Sequence, residues 1–533
     1  MRRPGRVRFW LALGAVVVLG ILPLALVVKK AAGAGDIFWE TVTSADALDA
    51  LFATLRLALG TTLVALLLGA PSAWLTTRTD VPWKGFFRTT LTLPYIVPPY
   101  IAALAWITLA DPAIGFLNAP FDSGVFDIFS MHGLTWVMGL SFYPYVFLTV
   151  RAALESADPS LEDAARMSGA GPWRVVKDVA FPLARPALIS SGGLVFMATA
   201  SAFGAPVLIG NRAGIDFLST RIFDLWSDDL GGIARASSLS CLLFAFALIP
   251  MLLRGRHHAV LTGKASQPTL VRLGRARRPV QVGLLLLVLL AVFLPLGAIA
   301  LTACLRVAGD LSPSNFTLSK FADVLGASEN GRALWTSLWL AAAAATIAVA
   351  LGFLIAWLQV KTRRRGRHLL AGLAALPLAT PGTVLALGLF LLWVGPVRLV
   401  YTVWILLVAY VAKHMALAAR ALAEGIGAVD DALPDAARMS GAKGWFLFRT
   451  VWAPLVLPSI VAGWFLVFMP SFSELTMSVI LMGPDLETIG TRMYVMREYK
   501  SPTSASVLAT VVLGLVIGSN LILRKLSGGR YGV

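Results

Sequence analysis

Long uncharged apolar stretches alternate with short polar segments along the 533 residues of this chain. The apolar stretches run at roughly 9–28, 50–76, 89–109, 134–150, 187–210, 238–253, 281–304, 334–358, 369–394, 400–419, 455–481 and 503–523. Most approach the ~20 residues that a helix needs to cross a bilayer. The pattern predicts an all-α membrane protein with about 12 transmembrane helices, and an even number of spans puts both termini on one side.

Composition agrees, with 58% hydrophobic residues, 14% charged residues and a mean hydropathy of +0.78. A net charge of +17 and a pI near 10.3 raise the question of nucleic acid. The basic residues, however, are dispersed in loops around apolar spans, which is the pattern of a topology signal, and no nucleic-acid partner is expected. Most Lys and Arg fall inside when the termini are cytoplasmic, including Arg2, Arg3, Arg6, Arg8 and the basic run at 361–367. Basic residues before an apolar run, with Ala32-Gly33-Ala34 after it, resemble a cleavable signal. Residues 281–304 occupy the equivalent place internally, so the first span is expected to stay uncleaved. Cys241 and Cys304 lie in or beside spans without CxxC spacing, and His257-His258 reads as solvated linker, so neither a metal site nor a cofactor is expected.

The polar segments carry a repeat. Asp-Ala-Ala-Arg-Met-Ser-Gly-Ala occurs at 163–170 and again at 435–442, and 15 of the 30 positions from 158 to 187 are identical at an offset of 272. Nearer the start of each half the offset is 283, where Leu55, Gly69, Trp74, Leu93, Pro94 and Pro98 match Leu338, Gly352, Trp357, Leu376, Pro377 and Pro381. A match of this length is a duplicated domain. The expected organisation is a first repeat at 1–255, a cytoplasmic linker at 256–279 and a second repeat at 280–533. Six spans per repeat require both copies to enter the membrane in the same orientation, so both octapeptides lie on one face.

Each duplicated polar loop, 158–186 and 430–458, reads as an elbow. Asp158 or Asp430 caps a short helix, Ala164-Ala165 or Ala436-Ala437 permits close approach of a partner, and Arg166 or Arg438 offers charge at the rim. Gly169 or Gly441 stops the helix, because glycine takes the left-handed C′ conformation without a Cβ penalty. A second short helix, closed by Pro182 or Pro454, is expected to follow.

These loops are similar to the EAA motif of ABC-importer permeases: Glu-Ala-Ala, three residues, Gly, nine residues, a β-branched or similar residue, one residue, Leu-Pro. The chain has Asp163-Ala164-Ala165, Gly169, Val179 and Phe181-Pro182, then Asp435-Ala436-Ala437, Gly441, Val451 and Ala453-Pro454. Asp replaces Glu, and Phe or Ala replaces Leu. The resemblance covers essentially the whole chain as two fused permease halves, and looks closest to ferric-iron permeases; related permeases handle thiamine, polyamines or aminophosphonates. It implies a type I ABC-importer permease fold in the bacterial inner membrane, coupling helices inserted into two cytoplasmic ATPase subunits, and an extracytoplasmic solute-binding protein. The chain itself has no G-x-x-x-x-G-K-[ST] string; Thr262-Gly263-Lys264-Ala265 lacks both the upstream Gly and the hydroxyl.

Two other classes compete. A secondary transporter shares the layout of two six-span halves but needs no matched elbow, and a membrane enzyme would need an acid, base and nucleophile cluster that is not visible. Glu474, in the eleventh span, is the most conspicuous acid in an apolar stretch and a candidate for the substrate pathway. Tyr95, Tyr100, Tyr143 and Tyr145 flank prolines and read as aromatic packing. Single cysteines at Ser44, Ser123 and Ser314 should label from outside, and those at Thr79, Ser168, Ser266 and Ser440 only after permeabilisation. Labelling of Ser168 and Ser440 from opposite faces would contradict the parallel repeats.

Overall fold

The computed structural model describes residues 4–121, 124–228, 231–252, 270–395, 398–483, 486–499 and 501–526. Residues 256–269 of the expected linker, with His257-His258, Thr262–Ala265 and Ser266, lie outside them, as do Arg2, Arg3 and Ser123. Among the described residues the chain is helical, with two isolated β-bridges, Thr79 to Val271 and Leu305 to Phe316, and no strand. Ten helices there are long and apolar enough to cross a membrane, or up to twelve elements if each of two bent pairs is one span.

The bent pairs correct the expected third and ninth spans. Lys84–Tyr95 meets Pro99–Ala110 at 100°, and Arg367–Ala379 meets Gly382–Trp393 at 106°. Pro98-Pro99 and Pro381 lack the N–H that would continue a helix, and each biases the residue before it away from α geometry. The fifth and eleventh spans also differ from expectation. Their helices run Trp173–Ala200 and Gly444–Phe472, then break into the short helical pieces Pro206–Gly210 and Thr476–Leu481.

Four other prolines are absorbed without a break. A π-helical turn ends two residues before each of Pro23, Pro182, Pro295 and Pro454, at Val17–Ile21, Val176–Ala180, Leu289–Phe293 and Phe448–Trp452. An internal proline removes one donor and its ring clashes with the carbonyl of the preceding turn; the wider π turn relieves both. This corrects the elbow as well. Pro182 and Pro454 do not close a second short helix; the chain passes through the π turn into the next span.

Two compact units are present, one of residues 1–43, 222–244 and 319–532, the other of residues 44–221 and 245–318. Neither unit coincides with the repeats expected at 1–255 and 280–533. In the unit that holds most of the second repeat, the first span of the chain packs on the bent pair: a Cβ on Gly20 would lie 2.7 Å from the Pro377 ring, and one on Gly388 would lie 2.6 Å from the Pro23 carbonyl. In the other unit, Ala291, Pro295, Leu296 and Ile299 of the seventh span line a small cavity with Pro94, Ile101 and Trp106.

Each unit is organised around a 34-residue helix, Ala45–Arg78 in one and Ser328–Lys361 in the other. The duplicated glycines explain the packing. A Cβ on Gly69 would stand 2.6 Å from the Tyr143 carbonyl oxygen, and one on Gly352 would stand 2.8 Å from the Ala419 nitrogen. Helices in lipid associate through such close backbone approach. Gly69→Val and Gly352→Val should each cost about 1–3 kcal/mol by overpacking and lower the melting temperature of the detergent-solubilised protein. Gly85→Ala, with open space around it, should leave that temperature nearly unchanged.

Candidate functional site: two capped elbows

The first elbow begins where Ser160 N–H donates to the Asp158 carboxylate at 2.9 Å, a bond that holds the exposed Asp158 carboxyl below its ordinary pKa. Helix Ser160–Met167 follows. It ends in a Schellman motif: Gly169 N–H donates to Arg166 O at 2.9 Å and Ala170 N–H to Ala165 O at 3.0 Å. Gly169 has φ +82°. The second elbow repeats this, with Ala432 N–H donating to Asp430, helix Ala432–Met439, Gly441 at φ +89°, and bonds from Gly441 to Arg438 O and from Ala442 to Ala437 O. Ala164 and Ala436 are exposed, and Ala165 and Ala437 half-buried.

The rim arginines are not free. Arg166 donates to Asp163 at 2.8 Å and to Glu162 at 3.3 Å, and Arg438 pairs with Asp435. What each elbow presents instead is apolar. Met167 and Trp173 are 90% and 76% exposed, and Met439 and Trp445 are 89% and 71% exposed. Leu161 and Leu433 stand exposed beside them. These residues were not among the expected site residues, although all three pairs belong to the identical positions of the repeat. Exposed large side chains on a capped helix fit a docking surface rather than a folding core.

Two further residues were missed because their partners are remote in sequence. Arg78, at the end of the first 34-residue helix, places Nε 2.9 Å from Glu162 Oε1, with both side chains at most 3% exposed, and its Nη2 donates to Leu154 O at 2.8 Å. Lys361, at the matching end in the other unit, pairs with Asp431, donates to Val429 O and lies over the Trp452 ring at 5.0 Å.

Glu474 sits at the N-terminus of Thr476–Leu481. Its carboxylate accepts from Met477 N–H at 2.9 Å, from Ser478 N–H at 3.0 Å and from Ser478 Oγ at 3.0 Å. The visible chemistry is that of a helix cap. Lys413 plays the converse part: its ammonium donates to the Leu378 and Thr380 carbonyls where the bent pair breaks. At the 272-residue offset the first repeat has Ser141 and Ala202 in these places, so this charged pair of caps belongs to one repeat alone. Tyr95 and Tyr145 pack ring against ring at 4.9 Å, and Tyr143 is fully buried.

A helical chain of two like-oriented repeats, each with an exposed apolar elbow on a rigid cap, has the organisation of a membrane transport subunit. Residues 61–258 and 348–523 match the inner membrane component of binding-protein-dependent transport systems, and the chain belongs to that family of ABC-importer permeases. It is a multi-pass inner-membrane protein, and the secondary-transporter reading is thereby excluded. A probable ABC transporter permease, y4fN, of Sinorhizobium fredii is 28% identical, covering 99% of this chain and 98% of its own. The Fe(3+)-transport system permease protein FbpB 2 of Haemophilus influenzae is 25% identical, covering 97% and 98%. A bacterial ABC transporter that imports alginate has a chain matching 48% of this one, over 97% of its own length, at 16% identity and a TM-score of 0.38.

Valine at Gly169 or Gly441 would be forced into the left-handed region, at a cost of about 1 kcal/mol or more. Gly169→Val and Gly441→Val should insert normally into membranes yet lose substrate-stimulated ATP hydrolysis when assembled with an ATPase of such a transport system, as measured by phosphate release in proteoliposomes.

Proposed function

We propose that this chain supplies both halves of the translocation pathway of an ATP-driven importer of ferric iron. Two cytoplasmic ATPase subunits each receive one elbow, at 158–186 or 430–458, an extracytoplasmic binding protein delivers the solute, and both termini are cytoplasmic. The observation that carries the coupling role is the duplicated presentation of Leu161, Met167 and Trp173, and of Leu433, Met439 and Trp445, on helices with the same glycine cap. Asp163, Ala164, Ala165, Arg166, Gly169 and Pro182, with Asp435, Ala436, Ala437, Arg438, Gly441 and Pro454, frame those side chains. The iron reading is supported by full-length similarity to the Haemophilus Fe(3+) permease, and it does not draw on Glu474, whose oxygens are occupied as a cap.

The test is co-purification of the ATPase with Met167→Asp/Trp173→Asp and with Met439→Asp/Trp445→Asp. Each pair should lower ATPase retention by about tenfold or more, the scale of losing buried apolar anchors at an interface, with no change in membrane insertion. Undiminished retention in the fourfold variant would refute the docking role. For the substrate, proteoliposomes holding the complex and its binding protein should take up ferric iron in preference to thiamine, spermidine or an aminophosphonate; preference for any of those would replace the iron reading.

A further inference from the structure

Both ends of each 34-residue helix are pinned by ion pairs, and at one end the whole set recurs at matching places in the two repeats. At the end opposite the elbow, Arg221 bonds Asp46 at 2.6 Å and lies 4.0 Å from Asp216. In the other unit, Arg492 bonds Glu329 and Asn330 and lies 3.0 Å from Glu487. Asp46 and Glu329 are 283 residues apart, as are Arg78 and Lys361, while Arg221 and Arg492 are 271 apart, as are Asp216 and Glu487. Backbone bonds follow suit: Leu218 N–H donates to Thr54 Oγ1 at 3.0 Å, and Ile489 N–H to Ser337 Oγ at 2.8 Å. Thr54 and Ser337 are again 283 apart.

The elbow end is kept by different means. Arg78 and Lys361 match, but their partners do not: Glu162 aligns with Pro434, and Asp431 aligns with Pro159. Each copy thus retains a cation-to-carboxylate link between the helix end and the elbow, although the carboxylate has moved by about one helical turn. A contact that mattered only for local stability need not be rebuilt from another position once lost. Thirty-four residues make a helix of roughly 51 Å, longer than the ~40–45 Å of a bilayer with its headgroups.

We propose that Arg78 and Lys361 are positioning residues for energy coupling. Each ties its elbow to the end of a helical strut whose other end is held by Arg221 or Arg492, so that displacement of the elbow is carried to the far side of the membrane. This rests on the reading that the elbows dock ATPase subunits. Glu162 in one unit is buried with its arginine, whereas in the other Asp431 is 77% exposed and Lys361 14%, so Lys361→Gln cuts the second link without leaving a buried charge unpaired.

The experiment uses the full chain with Cys241→Ser and Cys304→Ser, assembled with its ATPase in nanodiscs, and carrying Glu498→Cys on the Ile489–Tyr499 helix. The probe is the labelling rate of that cysteine by a membrane-impermeant maleimide, without nucleotide and with ATP plus vanadate. The parent should change rate several-fold between the two states. Lys361→Gln and Asp431→Asn should each retain the ATPase yet lose most of that change, Lys361→Arg should keep it, and Lys361→Asp/Asp431→Lys should recover part of it. A full nucleotide-dependent change in both Lys361→Gln and Asp431→Asn overturns the strut while leaving elbow docking intact. Failure of the parent chain to retain the ATPase overturns the docking reading, and the strut falls with it.

Discussion

Every backbone N–H and C=O placed in hydrocarbon must find a partner within the protein, because each unpaired group costs several kcal/mol. Most of the departures from simple spanning helices in this chain answer that constraint. Where Pro23, Pro182, Pro295 and Pro454 fall inside spans, a π turn precedes each and the helix continues. Where helices break, side chains serve the exposed ends: Lys413 takes the carbonyls of Leu378 and Thr380 before Pro381, and Glu474 takes the amides of Met477 and Ser478 at the break after Phe472. The charges in the eleventh-span region are thereby accounted for as backbone partners.

The same requirement, met in water, shapes the elbows. A short helix outside the membrane has little packing to stabilise it, and its termini are closed by Asp158 or Asp430 at the start and by Gly169 or Gly441 at the end. A stiff, capped helix can then hold methionine, tryptophan and leucine out into solvent, where a flexible loop would fold them back against the protein. The salt bridges of Arg166 with Asp163 and of Arg438 with Asp435 lie along the helix itself and leave the apolar residues uncovered. Exposure of that kind, duplicated, is the arrangement expected of surfaces that meet equivalent partners.

Much of this was legible in advance for a physical reason. Hydropathy reports burial in lipid directly, glycine and proline report backbone geometry directly, and a duplication checks each inference against a second copy. The expectation that Gly169 and Gly441 end their helices needed only the absence of a Cβ. The bend angles were not legible, since Pro98-Pro99 and Pro182 look alike as prolines; whether a helix breaks or bulges depends on what packs around it. The role of Glu474 was open for the same cause. An acid in an apolar run is either a ligand or a cap, and its neighbours in space distinguish the two.

The amino-acid sequence by itself determined the class of the chain, its two like-oriented repeats and the position of both elbows, because those follow from local polarity and from residue-by-residue identity. Only the tertiary structure decided that the first span of the chain packs with the bulk of the second repeat, that the seventh span packs with part of the first repeat, and that Arg78 meets Glu162 while Lys361 meets Asp431. Those choices turn on which helix faces fit at backbone distance and on which charges can neutralise each other there. Neither is a property of any one segment, so neither is written in the local pattern of the chain.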